Sequence, residues 1–171
     1  MFLRRSVLLA CVLASPSVFA AGQATVYGWV EQARLMPEGV LLKARLDTGA
    51  QTSVMDARNL VRIRKNDQRW VQFDILLPDA AGKLQRYPFE RPIERQLKVR
   101  GAEGVEHRPV VSLDLCLGDR AYREQVALSD REGEAYPLVL GRHSLEHMGA
   151  VDASRTLTVP PTCKAEAAKT Q

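Results

Sequence analysis

The sequence lacks two glycine-containing motifs that would point to common kinds of catalytic site. It contains no G-x-x-x-x-G-K-[ST] loop, whose backbone N–H groups hold the phosphates of ATP, so we expect no ATP binding. It also contains no G-x-S-x-G segment, which excludes the exposed serine nucleophile of the α/β-hydrolase type. We expect no cofactor of any other kind.

Long hydrophobic runs are also missing, apart from one short run near the start. Residues 7–13 are apolar except for Cys11; they follow two arginines and precede small residues that end at Ala20. This arrangement predicts a signal peptide over residues 1–20, cleaved near Ala20, and hence a secreted, periplasmic protein. The run is too short to span a bilayer, so we expect no membrane anchor. A lipoprotein site at Cys11 is the alternative interpretation.

Neither sign of charge dominates the chain. It has 24 Lys and Arg against 20 Asp and Glu, a net charge of +4, and removal of the signal peptide takes away two arginines. Such a small excess predicts no nucleic-acid partner. The one basic cluster, residues 58–69, is interrupted by Asn59, Asn66 and Asp67. We therefore interpret it as a solvated face rather than a binding patch.

The chain has only three cysteines, and Cys11 lies in the predicted signal peptide. Two cysteines in an oxidising compartment often pair, so we predict a disulfide between Cys116 and Cys163. Such a bond would tie the C-terminal segment to a core strand. In the alternative interpretation, Cys116 is a small buried hydrophobic residue.

Short runs of alternating polar and apolar residues occupy much of the chain, with turn signals between them. They predict strands at residues 25–30, 40–46, 54–57, 70–77, 110–117, 121–128, 138–140 and 157–159. Only residues 144–148 favour a helix. This pattern predicts an all-β fold, a closed β-barrel with one short C-terminal helix. We expect one domain over residues 21–163 and a disordered tail over residues 164–171.

The predicted strand at residues 40–46 leads directly into Asp47-Thr48-Gly49-Ala50. A strand that delivers an aspartate to a tight Thr-Gly turn is how an aspartic protease presents half of its active site. The chemistry needs two carboxylates that share one proton, one as the base and one as the acid. Because the chain has only one Asp-Thr-Gly, the second aspartate would come from another copy.

A second motif supports this interpretation. Residues 137–145 read PLVLGRHSL, three apolar residues that run into Gly141-Arg142 and a short helix. Together with the Asp-Thr-Gly loop and the segments at 97–100 and 113–118, this order resembles the retropepsins. A closer resemblance, through residues 28–31, 43–50 and 151–155, is to the bacterial retropepsin-like aspartic protease family often labelled ATP-dependent zinc proteases.

The resemblance implies a retropepsin-like β-barrel, a homodimeric site and peptide substrates. It implies that Asp47 is the catalytic aspartate and that Thr48 holds its symmetry mate across the dimer axis. Gly49 would let a substrate strand approach the backbone closely, and Ala50 would complete the loop. Gly141 and Arg142 would brace that loop from below, and residues 79–97 would form the flap.

The chain departs from the family pattern at Gln51, where retropepsins commonly have an aspartate that pairs with the Gly-Arg arginine. An uncompensated, partly buried charge is costly. We therefore expect either that Asp56 or Asp114 pairs with Arg142, or that the pocket is more hydrated than usual. The flap range, residues 79–97, is also charged and poor in glycine.

Residues 143–147 spell H-x-x-E-H, a pattern found in one class of zinc proteases. His143 and His147 are therefore candidate zinc ligands, and Glu146 would activate water. A zinc protease needs a longer helix and a downstream third ligand, and His107 could join only through tertiary contact. We therefore predict no metal site.

Three functions follow from these motifs. The first is a secreted, homodimeric aspartic endopeptidase that cleaves peptide bonds. The second is a non-catalytic periplasmic module that binds a peptide or a membrane-protein partner on the same fold. The third is a zinc metalloprotease through His143 and His147. In each case Ser53, close to Asp47, is expected to support the turn by hydrogen bonding.

Overall fold

The computed structural model describes residues 24–101 and 104–163. The predicted signal peptide over residues 1–20, including Cys11, and the predicted tail over residues 164–171 lie outside these ranges. The strands are β1 (Val26–Met36), β2 (Val40–Leu46), β3 (Ser53–Asp56), β4 (Arg58–Lys65), β5 (Gln68–Pro78), β6 (Leu84–Pro92), β7 (Arg95–Gly101), β8 (Gly104–Leu117), β9 (Arg120–Ser129), β10 (Leu138–Leu140) and β11 (Ala150–Thr156). The helix α1 covers Arg142–Met148. Within the described ranges, no helix is long and apolar enough to cross a bilayer.

Six strands close into a barrel in the order β1-β2-β10-β3-β9-β8 and back to β1. Strand β1 closes the ring because it pairs with β2 and also with β8, where residues 33–36 lie opposite residues 114–117. Strand β11 extends the sheet beside β1 in parallel, and β7 extends it beside β8 in antiparallel register. The predicted all-β barrel with one short C-terminal helix is therefore confirmed.

The burial pattern of β2 and its pairing with β10 determine where two loops leave the barrel. Val40, Leu42, Ala44 and Leu46 are buried in the core, while the residues between them are more exposed. The fully buried β10 lies parallel to β2. Because parallel neighbours end at the same edge of a sheet, the loops that follow β2 and β10 emerge side by side.

A separate three-stranded antiparallel sheet, in the order β4-β5-β6, follows the Asp-Thr-Gly loop in sequence. Its first strand, β4, falls on the basic cluster, where no strand is predicted from the sequence. The predicted flap range, residues 79–97, contains the β5–β6 turn, all of β6 and the start of β7. The segment is therefore built mainly of paired strands.

The predicted last strand at residues 157–159 is wrong. The last strand is β11, Ala150–Thr156, and it ends before Leu157, which has a φ of 53°. Strand β11 is mostly exposed, so it has no alternating hydrophobic pattern to reveal it, and backbone pairing with β1 holds it in place. The chain then leaves the sheet and continues along β1.

A buried carboxylate fixes this departing segment. Glu31 in β1 is fully buried, and it forms no salt bridge with any residue that the structure describes. Its side chain accepts hydrogen bonds from the backbone N–H groups of Gly28 at 2.6 Å, Thr158 at 3.0 Å and Val159 at 3.2 Å, and from the Thr158 hydroxyl. These donors compensate the buried charge and connect the C-terminal segment to the barrel.

The C-terminal segment is also fixed covalently. A disulfide joins Cys116 in β8 to Cys163, as the cysteine count predicts. Beside it, the Thr162 N–H donates to the Gly118 carbonyl at 2.7 Å. Residues 157–163 are therefore held at both ends, by Glu31 and by the disulfide.

We expect Glu31→Gln to lower the free energy of unfolding by about 1–3 kcal/mol, because the amide NH₂ cannot accept hydrogen bonds from the backbone. Urea unfolding of the oxidised protein measures this change. Glu146→Gln on the exposed side of α1 is the control, with an expected change below about 0.5 kcal/mol. Equal effects of the two substitutions would contradict a clamping role for Glu31.

Candidate active site

The Asp47 carboxylate sits at the end of β2 in a turn that it helps to form. The Asp47 N–H donates to the Leu140 carbonyl of β10 at 2.9 Å. Asp47 Oδ1 accepts hydrogen bonds from the backbone N–H groups of Gly49 at 2.9 Å and Ala50 at 3.2 Å. An aspartate that accepts hydrogen bonds from the backbone N–H groups two and three residues further along the chain stabilises a tight turn. These hydrogen bonds set the direction of the Asp47 carboxylate.

This carboxylate is open to solvent. The Asp47 side chain is 29% exposed and contributes to an open cavity of about 360 Å³. The other lining residues are Trp29, Arg45, Leu46, Thr48, Val151 and Ala153. Within the part of the chain that the structure describes, no second carboxylate lines this cavity. The described residues of one chain therefore supply one acid to this cavity.

The start of α1 is docked onto the Asp47 loop through backbone hydrogen bonds. The Arg142 N–H donates to the Ala50 carbonyl at 2.8 Å, and the His143 N–H donates to the Gln51 carbonyl at 3.3 Å. The first N–H groups of any helix have no partner within the helix. Here the loop supplies those partners, so the helix and the loop hold each other.

The Arg142 side chain adds a second connection to the loop. Its Nη1 donates to the carbonyl oxygens of Thr48 at 2.9 Å and Gly49 at 3.2 Å. The Thr48 hydroxyl is exposed and makes no hydrogen bond to the residues described in this chain. The structure therefore brings Asp47, Thr48, Gly49 and Arg142 into one contact group.

The predicted acidic partners of Arg142 are wrong. Asp56 pairs with Arg58 at 3.1 Å, and Asp114 lies 3.6 Å from Arg123. Arg142 itself is exposed and donates to the two loop carbonyls. The hydrated alternative therefore fits, because an exposed guanidinium needs no buried counter-charge.

Gly141 is the position where the two segments come closest. A Cβ at this residue would lie 2.8 Å from the Thr52 carbonyl carbon, which is too close for any side chain. The Gly141 N–H donates to Ser53 Oγ at 3.0 Å, and Ser53 Oγ lies 2.7 Å from Ser144 Oγ. Ser53 thus supports the Gly141 end of the contact rather than the Asp47 turn itself.

Arg45 is the residue that the sequence analysis missed. Its Nη2 lies 2.9 Å from Asp47 Oδ2, and its side chain is 34% exposed. Because side chains two residues apart in an extended chain point to the same side, the spacing of Arg45 and Asp47 could have revealed this pair. In the single chain, both carboxylate oxygens of Asp47 therefore have partners.

The two candidate zinc ligands contact different groups. His143 Nε2 lies 3.4 Å from the Gln51 side-chain amide, while His147 Nε2 lies 2.6 Å from Oε1 of the buried Glu124. Among the described residues, no three His, Cys, Asp or Glu side chains form a group that could hold a metal ion. The described residues therefore provide no set of ligands for the proposed zinc site.

We expect Gly141→Ala to destabilise the fold by about 1–3 kcal/mol, because the new methyl group would push the backbone at Thr52 away. The same displacement would misplace the Asp47 turn. Thermal unfolding measures the first effect, and hydrogen exchange at the Gly49 and Ala50 amides measures the second.

Gly101→Ala is the matched control. An added Cβ at Gly101 meets no described atom within 4 Å, so the expected change is below about 0.5 kcal/mol. If Gly141→Ala behaves like this control, close packing at Gly141 does not hold the loop.

Curated relatives of the chain are much longer than it is. A probable alpha-L-glutamate ligase of Parasynechococcus marenigrum is 32% identical over 114 residues, which cover 65% of this chain and 24% of the relative. A protein of the same name from Shewanella halifaxensis is 28% identical over 116 residues, covering 67% and 25%. The chain spans about a quarter of the length of these curated relatives.

A solved structure and a family match cover more of the chain. The Legionella pneumophila protein Lpg0085, of unknown function, is 35% identical with a TM-score of 0.67, covering 78% of this chain and 96% of that one. Residues 26–162 match the RimB-like family, described as the retropepsin-like aspartic endopeptidase RimB. The barrel, the Asp-Thr-Gly loop and the docked Gly-Arg helix agree with that match, and the chain belongs to the RimB-like family of retropepsin-like proteins.

Proposed function

We propose that the protein is an aspartic endopeptidase whose active site forms between two copies of the chain. The observation that carries this proposal is the position of the Asp47 carboxylate, which is partly exposed in an open cavity. Its direction is set by a turn that the start of α1 holds in place. Because no second carboxylate of the described chain lines that cavity, the other acid comes from the Asp47 of a second copy.

In this mechanism, a water molecule lies between the two Asp47 carboxyl groups, one ionised and one protonated. The ionised group takes a proton from the water as the water oxygen attacks the carbonyl carbon of an extended peptide. The protonated group gives its proton to the carbonyl oxygen. When the tetrahedral intermediate collapses, the C–N bond breaks and a proton passes to the leaving amine.

The supporting residues have separate parts in this proposal. Thr48 is exposed and its hydroxyl makes no hydrogen bond to a described residue, so in this proposal it contacts the loop of the second copy. Gly49 presents backbone without a side chain to an arriving substrate strand. Arg142 keeps both carbonyl groups of this loop in place.

A second candidate function has one observation in its favour, the Arg45–Asp47 ion pair. In this arrangement Arg45 contacts Asp47 Oδ2 and two backbone N–H groups donate to Oδ1, so a water or a substrate would have to displace one of these partners. If this arrangement persists in solution, the fold acts as a non-catalytic module that binds a peptide or a membrane-protein partner. Because Arg45 is partly exposed, a modest rotation of its side chain would free Asp47 for catalysis.

We further propose that the protein is secreted and acts in the periplasm. The signal-like sequence at residues 1–20 supports this location, and so does the disulfide between Cys116 and Cys163, because such bonds persist in oxidising compartments. The names of the curated relatives suggest an association with a glutamate ligase or with its glutamate-bearing products. Peptides with α-linked glutamate therefore belong in any substrate screen.

We expect Asp47→Asn to reduce cleavage of a peptide library by about 10²–10⁴-fold, because the amide can neither take nor give the required proton. The wild-type activity should be highest at mildly acidic pH and should fall when both carboxyl groups are ionised. Mass spectrometry of the library digest measures both the rate and the pH profile.

Asp119→Asn in the exposed β8–β9 turn is the matched control, and it should retain full activity. Sedimentation separates the two candidate functions, since a chain that stays monomeric at high concentration cannot assemble the pair of acids. Unchanged cleavage by the Asp47→Asn protein would exclude the proposed mechanism.

A further inference from the structure

Three arginines in the β4–β5 hairpin come together on one side of the sheet. Arg64 lies directly opposite Arg69 across the two strands, and Arg62 is two residues from Arg64 on the same side. The turn between the strands is formed by Asn66 and Asp67, with φ values of 47° and 61°. Two of the three residues that interrupt the basic cluster in the sequence, Asn66 and Asp67, therefore form the turn that brings its arginines together.

This side of the sheet also faces the hydrophobic core. Further along β5, Val71, Phe73 and Ile75 are on the same side as Arg69, and all three are buried. The arginines thus lie at one end of the side of the sheet that faces the core. At that end they line an open cavity of about 530 Å³, together with Ile93, Gln96 and His107. We call this space the basic cavity.

The positive charge in the basic cavity has no compensation within the described chain. Neighbouring cations are paired: Lys65 with Glu90, and Arg58 with Asp56. By contrast, none of the three cavity arginines forms a salt bridge with a described carboxylate. Their one side-chain hydrogen bond to a described residue runs from Arg62 Nη2 to the His107 carbonyl at 2.8 Å.

Like charges directly opposite each other in a sheet are destabilising. The hairpin nevertheless places Arg64 against Arg69 in the lining of this open cavity. An anion between the two guanidinium groups would relieve their repulsion and gain charge-assisted hydrogen bonds. The arrangement is therefore better suited to a bound anion than to an empty surface.

We propose that the basic cavity binds an acidic stretch of a peptide through its carboxylates. Strand β4 is an edge strand of its sheet, so one row of its backbone groups is free to pair with an extended chain. The buried Ile93 gives the cavity an apolar surface for side-chain methylene groups. The small net charge of the chain disfavours nucleic acid as the ligand.

The basic cavity shares no lining residue with the cavity around Asp47. The proposal therefore adds a separate anchoring site for an acidic substrate or partner, and it holds whether or not Asp47 is catalytic. Binding is measured on the Asp47→Asn protein, so that failure to cleave and failure to bind are distinguishable.

The probe is a fluorescently labelled hexaglutamate peptide, followed by fluorescence anisotropy at low salt. We expect saturable binding, with affinity about tenfold weaker in the Arg64→Gln, Arg69→Gln double variant, because two ion pairs are lost. The matched control is Arg120→Gln, Arg123→Gln, which removes two exposed arginines of β9 outside the cavity. Its affinity should stay within about twofold.

Competition identifies the ligand class. Unlabelled hexaglutamate should displace the probe and hexaglutamine should not, while inorganic phosphate should displace it only at a much higher concentration, because phosphate lacks the peptide contacts. The double variant should unfold at the same temperature as its parent or higher, because it relieves a repulsion. Equal losses of affinity for the probe in the double variant and its control would contradict the proposed site. Stronger competition by single-stranded DNA than by hexaglutamate would contradict the proposed class of ligand.

Discussion

The mutual support of the Asp47 loop and the start of α1 is the interaction on which the site depends. A turn of four residues and a helix of seven residues are each too short to be stable alone. Together they stabilise each other, because the first backbone N–H groups of the helix donate hydrogen bonds to carbonyl oxygens of the loop. This contact requires that residue 141 have no side chain. The direction of the Asp47 carboxylate thus follows from backbone packing, and the pairing of β2 with β10 in the barrel sets the position of the loop.

Charge around Asp47 is balanced differently in one chain and in two. Within one chain, Arg45 and two backbone N–H groups satisfy the carboxylate completely. A second copy would bring another carboxylate to the same place, and each Arg45 would then face two acids. In the proposed dimer, assembly would therefore change the contact between Arg45 and Asp47 that is present in one chain.

The sequence predicts the features that have strong local patterns. The alternation of buried and exposed residues along β2 predicts a strand, because burial of one strand face leaves a hydrophobic period of two. The Asp-Thr-Gly and Gly-Arg motifs predict the two segments that meet at the candidate site. Strands β4, β6, β7 and β11 are not among the predicted strands, because most of their residues are exposed or half-buried and backbone pairing holds them, which leaves no clear hydrophobic pattern. The basic cavity was missed for a related reason, because only the hairpin register shows that Arg64 meets Arg69.

The most direct test of the shared active site is to mix wild-type and Asp47→Asn chains, allow subunits to exchange, and measure peptide cleavage at constant total protein. If each site needs one aspartate from each chain, an equal mixture retains about a quarter of the wild-type rate, because mixed dimers are inactive. A rate of about half, as expected for chains that act independently, would contradict the account.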